Sequence, residues 1–327
     1  MKIDKKPEVL CIMGPTGSGK SALALELAER VPAEIVSVDS AMIYRGMDIG
    51  TDKPSRAVRE HIPHHLIDIR DPAERYNAAR FVTDATAAIA AITARKKLPI
   101  LVGGTFLYFR ALVQGLSAMP GADPALRAEL QAEAETRGWP ALHEELARID
   151  PATAAHIAPG DTQRLERALE LARLTGEAPS RLHTESRKGA AFDFMKIALW
   201  PEDRTALSER LAKRFSRMLE QGLLREVITL RERGDLDESC PAVRAVGYRQ
   251  LWHYLNGACD LAEAERRAVV ATRRYAKRQM TWLRSESGVI RVPTGETAPE
   301  AALAAMKAGF DHAFEGLGRV IINGQQQ

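Results

Sequence analysis

The run Gly14-Pro15-Thr16-Gly17-Ser18-Gly19-Lys20-Ser21 fits G-x-x-x-x-G-K-[ST] and leaves few folds open to the chain. It follows an apolar run, Val9-Leu10-Cys11-Ile12-Met13, and opens a helical pattern, Ala22-Leu23-Ala24-Leu25-Glu26-Leu27-Ala28. Strand, tight Gly-rich turn and helix, in that order, make a phosphate loop. The glycines let successive backbone N–H groups turn onto phosphate oxygens, and the helix N-terminus adds partial positive charge. Lys20 adds a full charge, and the Ser21 hydroxyl can serve a magnesium ion. The motif demands an α/β fold with a parallel sheet, but does not say whose phosphates it holds.

A second buried strand, Ile35-Val36-Ser37-Val38, ends in Asp39-Ser40. Ligands of open α/β sheets lie beyond the carboxyl ends of the strands, so Asp39 stands beside the loop if the two strands are parallel neighbours. There it can take a proton, hold magnesium through water, or cap the next turn. Residues 40–60 are loop-rich, and Pro63-His64-His65-Leu66-Ile67-Asp68-Ile69 reads as a short strand. His61, His64 and His65 lack metal-site spacing and read as loop-fixing side chains. Residues 77–97 are helical. The next strand, Leu98-Pro99-Ile100-Leu101-Val102, ends in Gly103-Gly104-Thr105. A motor-type ATPase keeps a magnesium-holding Asp at such a position. Gly-Gly instead admits close backbone approach by a ligand, with Thr105 facing the cleft or capping a helix.

From 116 to 190 the texture changes to Ala, Glu and Arg, with helices expected at 124–137, 140–148 and 161–175. This reads as an all-helical insertion between core segments 1–115 and 191–327. Within it Gln163 and Arg167 share one helical face while Leu165, Leu169 and Ala172 share another. The sheet resumes at Phe194–Trp200. Helices follow at 204–221 and 223–233, the first carrying Arg210 and Arg214 one turn apart. A long helix spans 261–286, and a strand at 289–292 and a helix at 299–315 close the chain.

The long helix carries seven basic and no acidic residues from Arg266 to Arg284. At about 100° per residue, Arg266, Arg267, Arg273, Arg274, Lys277, Arg278 and Arg284 fall within an arc of about 140°. Val269, Ala276, Met280 and Leu283 fall beside it. Such a face suits a phosphate backbone, unless acidic residues elsewhere in the fold pair with it. The net charge of the 327 residues is only +3, so nucleic-acid affinity must come from a local patch of this kind. Cys11, Cys240 and Cys259 form no C-x-x-C, which argues against a disulfide framework or zinc site. No apolar run has membrane length, and Met1–Lys6 lacks the core of a signal peptide. The expectation is a cytoplasmic protein with a frayed tail at Gly324–Gln327.

Several blocks together carry a family resemblance. Besides the phosphate loop they are Asp39-Ser40-Ala41-Met42-Ile43-Tyr44-Arg45-Gly46-Met47-Asp48-Ile49-Gly50-Thr51, Pro63–Asp68, Gly103-Gly104-Thr105 and Gln163-Arg164. Arg244-Ala245-Val246-Gly247-Tyr248-Arg249-Gln250 and Tyr275-Ala276-Lys277-Arg278-Gln279 complete the set. In these the chain resembles the bacterial tRNA dimethylallyltransferase family. The resemblance implies a P-loop NTPase-like core, a helical insertion that grips a tRNA anticodon stem-loop, and a monomer. It implies dimethylallyl diphosphate as donor, Mg²⁺ near Ser21, and N6 of adenosine 37 as acceptor in tRNAs reading codons that begin with U. The loop would then serve the donor's diphosphate rather than ATP.

By the same likeness Asp39 is the general base, Thr105 holds the adenine, and Lys20, Thr16 and Arg214, with Arg210, stabilise the leaving diphosphate. Residues 39–42, Thr105, Arg127, Gln163, Arg164, Leu165, Glu166, Arg167 and the Arg244–Arg249 block are the implied tRNA contacts, with Arg273, Arg274, Lys277 and Arg278 along the stripe. Two rivals remain on the residues alone. A small-molecule kinase explains Lys20, Ser21 and Asp39 but not the basic stripe. A nucleotide-switched RNA-binding protein leaves Asp39 without a task.

Overall fold

The computed structural model describes residues 8–116, 119–182 and 192–310. The N-terminal run, the Gln-rich tail and the far end of the last expected helix lie outside these. Two compact units emerge: residues 1–113 with 190–327, and residues 114–189.

The first unit is built on a six-stranded sheet. Its strands are β1 (Glu8–Met13), β2 (Ala33–Val38), β3 (His64–His65), β4 (Leu98–Gly103), β5 (Asp193–Trp200) and β6 (Val289–Pro293). Their order is β3-β2-β4-β1-β5-β6, and every pairing is parallel. Parallel sheets are covered on both faces, so their strands are apolar throughout rather than alternating. Side-chain alternation then feeds two cores. Val9, Cys11 and Met13 join the helices of one face, whereas Leu10 and Ile12 join the phosphate-loop helix and the helix Ala298–Gly309 on the other. Burial pushes the Cys11 thiol far above its usual range, so it is an inert core residue.

The order corrects one expectation. β1 and β2 are not neighbours, because β4 lies between them. Asp39 therefore reaches the phosphate loop across the end of β4. The Gly-Gly there makes this possible, and both glycines also line a cavity beside the phosphate loop. A Cβ on Gly103 would lie 2.0 Å from the Val38 carbonyl oxygen, and one on Gly104 would lie 2.1 Å from Gln279 Nε2. The space is taken by the protein's own groups. A second difference is a short helix, Arg56–His61, inside the segment expected to be loop. It starts where the Ser55 hydroxyl accepts from Val58 N–H. The histidines do fix loops: His64 Nδ1 meets the Ile62 carbonyl at 2.6 Å, and His65 Nε2 meets Glu34 at 2.7 Å.

The second unit is helical: Pro124–Arg137, Trp139–Ile149, Pro151–Ala154, Thr162–Thr175 and Pro179–Leu182. Leu130, Leu142, Leu146, Leu165 and Leu169 form its core, each fully buried. Asp123 and Asp161 cap its helices by accepting from backbone N–H groups. Glu170, fully buried, takes Arg127 through two bonds of 2.7 and 3.0 Å, the Arg167 guanidinium at 2.5 Å and the Asp123 N–H at 2.9 Å. Burial opposes the ionisation of Glu170, but the two arginines outweigh it and hold the carboxyl below its usual value.

Candidate active site

The phosphate loop turns at Gly19, whose φ of 89° is a left-handed conformation open to glycine, and Lys20 begins the helix Lys20–Arg30. Lys20 Nζ donates to the Pro15 carbonyl at 3.3 Å. Burial is the main influence on its ammonium and lowers its pKa to about 8, against the pull of Asp39 in the other direction. Arg214, on the helix Arg204–Glu220, donates from Nη1 to Thr16 Oγ1 at 3.0 Å and lies 3.6 Å from Asp52. The structure thus joins Arg214 to the loop. Arg210, one turn earlier, is exposed and does not line the cavities around the loop.

Asp39 caps the turn that follows β2. Its Oδ1 accepts from Ala41 N–H at 2.8 Å and Met42 N–H at 3.2 Å, and the residue also lines the cavities. Oδ2 takes no hydrogen bond among the described residues. Thr105 does not cap the helix that follows it with its hydroxyl. Oγ1 instead accepts from Ser40 N–H at 3.2 Å, joining the loop after β4 to the turn after β2. Tyr275 reaches the same place from the long helix, Leu261–Ser285, in polar contact with Thr105 and Gln279. Burial first, and the Asp39 charge second, push its hydroxyl up to about 12.

Two cavities meet here. One, of about 270 Å³, runs from Lys20 and Ser21 past Ser37 and Asp39 to the apolar side chains of Leu25, Ile35, Met42 and Ile67. The other, of about 350 Å³, runs from Asp39 and Ser40 to Arg244, Val246 and Arg278. They share Thr16, Asp39, Thr51, Arg214 and Tyr275. A third groove, of about 550 Å³, lies between Arg244, Arg249, Arg266, Arg267, Arg274 and Arg278.

The basic stripe is exposed along its length. Arg266 and Arg267 pair with Glu263. Arg273, Arg274, Lys277, Arg278 and Arg284 make no ion pair among the described residues. The neighbouring block works partly from beneath. Arg244 and Arg249 are exposed, but Gly247 and Tyr248 are buried. Tyr248 donates to Glu226 at 2.5 Å, and Glu226 also accepts from the N–H groups of Asp48, Ile49 and Gly50. The Tyr248 hydroxyl thus holds the loop that carries Thr51 and Asp52, while the residue also lines the cavity that runs from Asp39 to Arg244.

In the helical unit Gln163 and Arg164 are exposed, and Arg164 is 3.7 Å from Asp161. Glu166 accepts from Gln131 Nε2 at 2.6 Å. Leu165 is a core residue with no exposed surface, so its side chain cannot meet RNA. Arg127 and Arg167 are committed to Glu170, which a ligand would have to outbid. Sequence reasoning gave no role to Gln279, Glu226 or Asp52. A signal for Gln279 existed: it is an uncharged polar residue on the arc of Ala276, Met280 and Leu283, which is buried.

Comparisons with known proteins agree on one family. A family model described as IPP transferase matches residues 42–286. A tRNA dimethylallyltransferase of Halorhodospira halophila (strain DSM 244 / SL1) is 59% identical over 284 residues, covering 86% of this chain and 92% of the relative. One of Ralstonia nicotianae is 56% identical over 286 residues, covering 85% and 88%. Among solved structures, a full-length tRNA isopentenylpyrophosphate transferase from Bacillus halodurans superposes with a TM-score of 0.68 at 36% identity, covering 97% of this chain and 99% of that one. A eukaryotic dimethylallyltransferase acting on tRNA gives 0.75 at 28% identity, covering 97% and 80%.

Proposed function

The chain belongs to the IPP transferase family, and from that premise we propose how its cavities divide one reaction between two substrates. The chain transfers a dimethylallyl group to tRNA, with dimethylallyl diphosphate as donor. The acceptor is N6 of adenosine 37 in the anticodon loop of tRNAs reading codons that begin with U. The products are N6-dimethylallyladenosine and diphosphate. The observation that carries this reading is the junction: Asp39, Thr16 and Arg214 border both the phosphate-loop cavity and the cavity rimmed by Arg244 and Arg278.

The donor's diphosphate sits on the loop, with its five-carbon tail toward the apolar lining. The adenine leaves its stack and enters from the basic side, as single-stranded loops allow. Its N6 lone pair is delocalised into the ring, so the amine is a weak nucleophile. The new N6–carbon bond forms as the allylic carbon–oxygen bond breaks. The electron pair of that bond leaves with diphosphate, and the N6 proton passes to Asp39 Oδ2. Lys20, Arg214 and the loop N–H groups meet the charge that gathers on the leaving oxygens. Thr105 and Ser40 flank the base. Gln163 and Arg164 in the helical unit, with Arg244, Arg249 and the stripe, hold the RNA backbone.

The Ser21 hydroxyl is exposed on the cavity wall beside Lys20. Among the described residues no three His, Cys, Asp or Glu side chains cluster as a metal cage. The oxygen donors that line this cavity, the Ser21 hydroxyl with the Asp39 and Asp52 carboxylates, fit a hard cation that keeps its waters and takes phosphate oxygens. Mg²⁺ held by Ser21 and the diphosphate would supply charge neutralisation at the leaving group. Nucleoside mass spectrometry of unmodified tRNA, incubated with protein, donor and Mg²⁺, tests the reading. An adenosine heavier by one dimethylallyl group, mapped beside the anticodon, is expected. Intact tRNA and donor with folded protein and no such product would refute it.

A further inference from the structure

Gln279 has no part in the reaction described above, yet its carboxamide touches two walls of the site. The residue is 3% exposed. Oε1 accepts from the Thr16 N–H at 2.8 Å, and Nε2 donates to the Gly104 carbonyl at 2.9 Å. Gly104 has no Cβ to obstruct that approach. Thr16 in turn accepts through Oγ1 from Arg214. One N–H of the phosphate loop is therefore committed to a side-chain amide rather than left for phosphate. The orientation of that peptide sets where the Thr16 hydroxyl, and through it Arg214, stands.

An amide suits this position because it accepts at one end and donates at the other without charge. A carboxylate would turn an oxygen on the Gly104 carbonyl, and an ammonium has nothing to offer the Thr16 N–H. We propose that Gln279 is a positioning residue for the donor: it fixes the Thr16 peptide against the end of β4 and so presets the Arg214–Thr16 pair that receives the diphosphate. This rests on the reading that the loop holds dimethylallyl diphosphate.

Two variants test it. Gln279→Met keeps the volume and removes both hydrogen bonds. Gln279→Glu can rebuild both only when its carboxyl is protonated. Gln279→Met should weaken inorganic diphosphate binding and raise the donor KM roughly tenfold or more, with tRNA affinity unchanged. The donor KM of Gln279→Glu should fall toward the wild-type value as pH is lowered, over a range where the wild type stays flat. Thermal melts run alongside.

A variant that melts early but binds diphosphate and donor like the wild type would make the amide a purely structural contact and overturn the proposal. So would a pH-flat donor KM in Gln279→Glu, which decides the matter alone if Gln279→Met does not fold. Failure of the transfer reading looks different: wild-type protein would bind diphosphate by calorimetry yet put no dimethylallyl group on tRNA.

Discussion

At the scale of single residues, Asp39 is asked to cap a turn with one oxygen and take a proton with the other. Asp39→Asn separates the tasks, because the amide oxygen still accepts from Ala41 and Met42. Turnover is expected to drop by roughly 10²–10⁴-fold while tRNA affinity changes little; near-normal turnover in single-turnover kinetics would remove Asp39 as the base. Arg214→Ala deletes the contact with Thr16 and should raise the donor KM without altering tRNA affinity, so unchanged donor kinetics would reassign that arginine. Lys20 gives a pH signature. Its pKa of about 8 lies below the ordinary 10.5, chiefly through burial. In the free protein it is charged below about 8 and increasingly neutral above. A bound diphosphate favours the charged form and raises that pKa. Donor binding just above this pH should therefore take up protons, and affinity should fall as pH rises further. Calorimetry in two buffers of different ionisation enthalpy measures the uptake, which Lys20→Arg should abolish.

At the scale of elements, β2 carries a charge in its interior. Glu34 is 3% exposed. Burial opposes its ionisation, yet Arg95, His65 and Lys97 prevail and hold its carboxyl at about 2, against an ordinary 4.5. A depressed carboxyl stabilises the fold above its ordinary pKa, and that contribution is lost as pH falls toward the folded value. Glu34→Gln should cost about 1–3 kcal/mol near neutrality and flatten the acid limb of the denaturation curve between those two values; an unaltered limb would contradict the assignment. On the long helix, neutralising Arg273, Arg274 and Lys277 should weaken tRNA binding and reduce its salt slope by about 0.7–0.9 per charge. Titrations at several salt concentrations read this directly. Elements were legible wherever period and composition agreed: the phosphate loop, the strand ending at Asp39, the basic stripe and the helices after Gly115 all stood out in the sequence. Strand order was not legible, since nothing local in β1 or β2 records that β4 separates them. Nor were the partners of Gln279 and Glu226, which lie far away along the chain: polarity on a buried arc marks Gln279 but not the Thr16 N–H it meets.

At the scale of the whole molecule, the carboxyl ends of β1, β2 and β4 meet at one end of the sheet, and the helices after β5 bring Arg214, Tyr275 and Gln279 to the same end. No helix among the described residues is long and apolar enough to cross a membrane. The helical unit, residues 114–189, has its own leucine core and buried Glu170. It should keep its fold when Gln163 and Arg164 are changed, so loss of tRNA binding in those variants would report contact rather than unfolding. On the proposed reading the phosphate loop serves the prenyl donor and not a nucleoside triphosphate. The most direct test of that reading is the stoichiometry of one reaction: dimethylallyl groups incorporated into tRNA against diphosphate released, with ATP absent and then present. One diphosphate per group incorporated, the same with or without ATP, is the result expected. Incorporation that required ATP, or that released orthophosphate from it in step with each transfer, would contradict the account.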